Sequence, residues 1–152
     1  MKRPVVTIYT DGSCKNGKGG WAARLTFGND SLNLHGSVEE TTNNRMELTA
    51  VLEAIKVLNT PCIIRLYSDS RYVLNGLSFM YLWRFRDWKT REGKDVQNRD
   101  LWEELLEFIG KGGHSVRKHW VKGHIGDIEN EICDSLAKYA RENPVNAEAS
   151  KK

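Results

Sequence analysis

Cysteine is scarce in this sequence and long apolar runs are missing, and each shortage closes off a class of protein. Cys14, Cys62 and Cys133 are odd in number and match no metal-ligand spacing, so neither a disulfide scaffold nor a thiolate metal centre is indicated. Free thiols fit a reducing compartment, and a cytoplasmic protein is the expectation. Apolar stretches last only a few residues, far short of the roughly 20 that a membrane helix needs. The opening "MKRPVVTIYTD" is basic, but its apolar part is too short for a secretory signal and already reads as a strand. Charge of one sign is not in excess either. The 23 Lys and Arg against 20 Asp and Glu leave a formal +3, too little to name a partner. No repeat, low-complexity tract or linker interrupts the 152 residues, which suit one domain.

The charge is unevenly placed. Residues 84–94 carry Arg84, Arg86, Lys89, Arg91 and Lys94 against Asp87 and Glu92, and residues 111–124 add Lys111, Arg117, Lys118 and Lys122 with no acid. Along the chain, residues 5–10 read as a strand and "DGSCKNGKGG" as a glycine-rich turn. The alternation of "GWAARLTFGNDSLNLHGSV" around Gly28-Asn29-Asp30 predicts a hairpin. "NNRMELTAVLEAIKVLN" has helical periodicity, "CIIRLYS" is a strand, "SRYVLNGL" a short helix ended near Gly76, and "SFMYLWRF" another. "RDLWEELLEFIGK" is an amphipathic helix, "SVRKHWV" a strand, and "DIENEICDSLAKYAREN" a final helix. The order is β-β-β-α-β-α-α-α-β-α, an α/β domain whose strand-helix-strand units demand parallel neighbours. Residues 1–143 make that domain, and 144–152 a short tail expected to fray.

Two apolar strands, "VVTIYTDGS" and "IIRLYSDS", each end in an aspartate. Taken alone, Asp11 reads as turn chemistry before catalysis, and Asp69 as a helix cap. Parallel pairing would bring both to one sheet edge, where two like charges repel unless a cation lies between them. Glu47 falls among Val51, Ala54 and Leu58 on the apolar arc of its helix. It reads either as the third residue of a capping box opened by Asn44 or as a buried site carboxylate. Asp134 lies off the apolar stripe of the last helix, and its spacing suits a solvated face. His124, in the glycine-flanked "KGHIG", reads by itself as a mobile surface histidine.

The ordered set "YTDGS", "TTNNRMEL", "YSDSRYV" and "WVKGHIGDIENEICDSLA" resembles ribonuclease H of the bacterial type-1 class over residues 4–143. That resemblance implies a ribonuclease H-like α/β fold, a five-stranded mixed sheet with three antiparallel strands first and helices on both faces. It implies Asp11, Glu47, Asp69 and Asp134 as ligands of two Mg²⁺ ions, replaceable by Mn²⁺, with His124 as a flexible-loop histidine that shuttles protons or aids product release. Two-metal phosphodiester hydrolysis suits such acids, because hard oxygen ligands hold Mg²⁺ and leave room for water. The substrate implied is the RNA strand of an RNA–DNA hybrid, cut to 5′-phosphate and 3′-hydroxyl ends by a monomer with no obligate protein partner. Asn16, Thr42, Asn43, Asn44, Arg71, Trp83, Arg84, Arg86, Lys89 and Asn130 are the substrate-contact candidates. No hybrid-binding module is expected before residue 4. Phe79 or Met80 stands where the family's groove tryptophan is usual, and the glycine-rich loop and residues 77–88 look shorter than the common pattern. A DNA-directed nuclease and a non-catalytic hybrid-binding module are the competing readings.

Overall fold

The computed structural model describes residues 2–122 and 127–144. The elements are β1 (Val5–Lys15), β2 (Lys18–Phe27), β3 (Asp30–Val38), α1 (Asn43–Lys56), β4 (Ile63–Ser68), α2 (Arg71–Phe85), α3 (Arg99–Gly112), β5 (Ser115–Trp120) and α4 (Ile128–Glu142). The strands form one sheet in the order β3-β2-β1-β4-β5, with β1, β2 and β3 antiparallel and β1, β4 and β5 parallel. Of the tail expected to fray, all but Pro144 lies outside the described residues.

Alternation decides which face of each strand is dry. Val6, Ile8, Leu25, Ile64 and Leu66 are buried against Leu48, Val51 and Ile55 of α1 and Trp102 and Leu105 of α3. On the other face lies α4, where the Cys133 thiol meets the Tyr9 carbonyl at 3.3 Å. Burial pushes that thiol up to about 12, so it packs as a small apolar group at neutral pH. Helix α4 contacts β1, β2 and β3, whereas α2 contacts β4 and β5. The outer face of β4 and β5 is thus left beside α4 rather than beneath it.

Three elements differ from their sequence reading. Strand β1 continues to Lys15 instead of stopping at Thr10, because Asn16-Gly17 is itself a two-residue hairpin turn, with φ of 54° and 80°. Asp11 therefore lies inside a strand, paired opposite Ala22, and is not a turn residue. The N-cap of α1 is Thr42, whose hydroxyl accepts from the Arg45 N–H at 3.2 Å; Asn44 is two residues too late for the cap, and Glu47 is released from any capping box.

The third difference is α2, one continuous helix where two short ones were expected. Gly76 does not end it. A Cβ at Gly76 would overlap the indole of Trp102, which is fully buried, so glycine is there to admit the ring from α3. Gly76→Ala should cost about 1–3 kcal/mol by overpacking, although alanine is the better helix former. Thermal unfolding would check this. A Tm equal to or above that of the wild type would mean the ring moves aside freely.

Candidate active site

Two strands and one helix converge on a buried acidic cluster. Asp11 lies two residues beyond Tyr9, which pairs with Tyr67, and Asp69 lies two residues beyond Tyr67, so parallel register brings both acids to one edge. Asp69 directly precedes Ser70, whose hydroxyl caps α2 by accepting from the Val73 N–H at 3.2 Å. Glu47 arrives from the start of α1. Its Oε1 accepts a 2.6 Å hydrogen bond from the Gly12 N–H, which also lies 2.9 Å from Asp11 Oδ1. Glycine at position 12 makes this approach possible: a Cβ there would stand 2.5 Å from the Glu47 nitrogen and 2.7 Å from the Met46 carbonyl carbon.

Asp11, Glu47 and Asp69 each offer an oxygen within 4.8 Å of the others. Asp11 and Glu47 are only 4% exposed. Desolvation raises Asp11 to about 7, and the charges of Asp69 and Asp134 act in the same direction, while a hydrogen bond from Glu47 opposes them. Desolvation first, then the charge of Asp11, holds Glu47 well above the ordinary carboxyl range. Asp69 is raised mainly by burial and further by Asp134. Asp134, on α4, is half exposed, with Oδ2 3.1 Å from Lys138 Nζ. It stands outside the tight group of three, though its charge helps to raise both Asp11 and Asp69.

The arrangement fits a divalent cation. Glu47 Oε2 is buried and has no hydrogen-bond partner, so one lone-pair set is desolvated and left unpaid within the protein. All donors are carboxylate oxygens, the hard set that suits Mg²⁺ or Mn²⁺ and not a thiolate- or imidazole-preferring metal. A cation among the three would answer both the crowded charge and the orphan oxygen.

Helix α4 is fastened at its first turn. Glu129 is ion-paired with Arg24 of β2, and Asp127 caps the helix by accepting from the Asn130 N–H at 3.1 Å. His124 lies outside the described residues. The substrate-contact candidates are scattered around the cluster. Asn16 occupies the β1–β2 turn beside Lys15, Lys18 and Arg141 in a hollow of about 490 Å³. Thr42, Asn43 and Asn44 are exposed at the start of α1. Arg71 opens α2 with its guanidinium 4.1 Å from the centre of the Trp120 ring. Trp83 is half-buried, 5.6 Å from Trp102 and 6.2 Å from Phe79. With Phe79, Leu82, Arg86, Thr90 and Arg91 it lines a mainly apolar groove of about 650 Å³. Arg84 is exposed, Lys89 is ion-paired with Asp95, and Asn130 is buried. Of the two residues expected near the groove tryptophan's place, Phe79 is half exposed and Met80 is buried.

The sequence did not reveal Gly12 as the backbone donor that orients Glu47, because "DGS" is also turn chemistry. The signal that could have exposed it was Asn16-Gly17, which already supplied the turn.

Comparison with known proteins places these features in a family. The ribonuclease H family model matches residues 3–142. A ribonuclease HI of Haemophilus influenzae is 48% identical over 142 residues, covering 91% of each chain. A ribonuclease H of Cupriavidus necator is 47% identical over 135 residues, covering 87% of this chain and 92% of that one. Among solved structures, a type 1 ribonuclease H with the type 2 active-site motif matches with a TM-score of 0.84 at 30% identity, over 97% of this chain and 76% of that one.

Proposed function

The chain belongs to the ribonuclease H family, in its type 1 class, and from that premise we propose that Asp11, Glu47, Asp69 and Asp134 form a two-metal hydrolytic centre. The activity is hydrolysis of RNA within RNA–DNA hybrids. The observation that carries the metal reading is the orphan Glu47 Oε2 within three converging carboxylates. Asp11, central and nearest to the other acids, would serve both cations, with Glu47 and Asp69 holding one and Asp134 the other. Mg²⁺, when bound, supplies charge relief at the phosphate and lowers the pKa of attacking water.

The chain's own groups prepare that chemistry. The Gly12 N–H fixes one oxygen of Glu47 and leaves the second buried and unpartnered. Burial keeps Asp11 and Glu47 protonated to higher pH than free carboxyls, so loading the site releases protons. The products are a 5′-phosphate and a 3′-hydroxyl, as primer and R-loop removal would require. Asn16, Asn43 and Asn44 are the exposed amides available to 2′-hydroxyls in the wide minor groove of the hybrid. Arg71, Arg84, Arg86 and Trp83 supply cations and an aromatic edge for the flanking strands. Thr42 is engaged as a cap, and Lys89 must leave Asp95 to meet a phosphate.

The deciding experiment compares cleavage of labelled hybrid, double-stranded DNA and double-stranded RNA in Mg²⁺ and in chelator. Cleavage of the hybrid's RNA strand alone, lost with chelation, is expected. Cleavage of DNA, or cleavage surviving the chelator, would overturn the reading. For His124→Ala, measured turnover should slow by about 10²–10⁴-fold at most, the range of a general acid–base group, and not vanish.

A further inference from the structure

On the outer face of β4 and β5, two cross-strand rows run parallel to the acidic edge. One row stacks three rings. Tyr9 and Tyr67 lie 4.7 Å apart between centroids and 10° from parallel, and Tyr67 and His119 lie 4.6 Å apart at 16°. The stack follows register, since Tyr9 pairs with Tyr67 and Tyr67 with His119. The second row, two residues back, pairs Arg65 with Arg117, both exposed. Arg65 donates to the Tyr67 hydroxyl at 2.8 Å and lies 5.8 Å from that ring's centre. The inward-facing neighbours Ile64, Leu66 and Ser68 are buried, so the rows are an outer surface and not core.

The two ends of the stack differ. At the Tyr9 end, burial first and then the acids at the start of α4, Asp127 and Glu129, raise the Tyr9 hydroxyl; Glu129 is tied to Arg24. At the other end His119 is exposed on β5, the sheet's last strand, beside Arg117. A stack of parallel rings that ends open next to two arginines has the chemistry that binds unpaired nucleotides: base on ring, phosphate on guanidinium. Tyr9 and Tyr67 lie two residues, about 7 Å, from the acids along β1 and β4, and His119 stands one strand further out, so the open end of the stack is about one to two nucleotides of single strand from the acids.

We propose that the Tyr9–Tyr67–His119 stack, with Arg65 and Arg117, holds a single-stranded extension of the RNA strand whose hybrid portion occupies the active site. This rests on the hybrid-hydrolysis reading above, and it adds a preference for hybrids whose RNA runs past the duplex end. The strand enters from the β5 edge, away from the acids of α4. A base continues the stack on the open side of His119, and Arg117 and Arg65 meet phosphates.

The test uses the full chain and compares KM for a blunt hybrid with KM for the same hybrid carrying a short RNA extension at either end. Wild type should bind the extended hybrid about tenfold more tightly, a modest return for one stacked base. His119→Ser and Arg117→Glu, both at exposed positions, should erase that advantage and leave blunt-hybrid kcat and KM unchanged. Equal KM for blunt and extended hybrids in wild type would overturn the proposal, as would equal losses on both substrates in the variants. A matching gain from a DNA-strand extension would overturn the assignment to RNA. If wild type cleaves no blunt hybrid, the hydrolysis reading itself has failed; if it cleaves blunt hybrid without an extension effect, only this proposal has.

Discussion

Asp11→Asn should abolish hybrid cleavage, by at least about three orders of magnitude, while leaving hybrid binding intact. The expected loss exceeds the 10²–10³-fold typical of removing one transition-state hydrogen-bond donor, because an amide forfeits an anionic ligand at the centre of the cluster. Asp11 is electrostatically linked to every other member, and its carboxyl lies with those of Glu47 and Asp69 in the tight group. The side-chain volume is conserved, and the Gly12 N–H can still reach Glu47, so the local fold should persist. The assay is single-turnover cleavage of labelled hybrid beside a binding titration of the same duplex. Activity within tenfold of wild type would remove Asp11 from the centre. Loss of binding together with cleavage would show that the acid shapes the groove instead of the chemistry.

Much of this centre was legible because its signals are local in sequence and global in consequence. Parallel register follows from strand-helix-strand order, and it alone brings Asp11 and Asp69 to one edge. The helical arc correctly set Glu47 among apolar neighbours, and the structure buries it there. Spacing could not set Asp134 apart from a solvated face, since it is half exposed and only its charge reaches Asp69. Two errors were local, the Asn16-Gly17 turn that lets β1 run on to Lys15 and the Thr42 cap taken for Asn44; the third was a residue overruled by a partner distant in sequence. Gly76 looked like a helix stop, yet it is a socket for Trp102, 26 positions away, and no local pattern encodes that. The aromatic stack likewise needs the pairing of three strands before Tyr9, Tyr67 and His119 become neighbours.

Without metal, the protein should lose stability as pH rises from about 5 to 8, and Asp11→Asn should remove much of that loss. The sign follows from proton counting. Asp11 titrates near 7 when folded and near 3.8 when unfolded, and Glu47 is shifted in the same direction, so the folded state binds more protons between those values. Stability is therefore greatest below the unfolded value, falls through the window, and levels off once the folded group has ionised. At about 1.36 kcal/mol per unit, Asp11 sets a ceiling of about 4 kcal/mol. Two kinds of group could obscure the trend. Asp95 and Asp100 are lowered by their cationic partners, but they have ionised in both states by pH 5. Burial lowers His114, which makes stability rise towards pH 6.5 and opposes the trend in the lower half of the window. Subtracting the Asp11→Asn profile from the wild-type profile cancels all three. In chelator at pH 8 the variant should melt several degrees above wild type, given about 2–4 °C per kcal/mol for a chain of this size, and the difference should shrink towards pH 5. Mg²⁺ should raise the wild-type Tm at pH 8 and raise the variant's much less, since binding to the folded state alone adds stability by mass action. Parallel wild-type and variant profiles, or equal Mg²⁺ shifts, would mean that these carboxylates are not strained by one another and that the cation finds its ligands elsewhere.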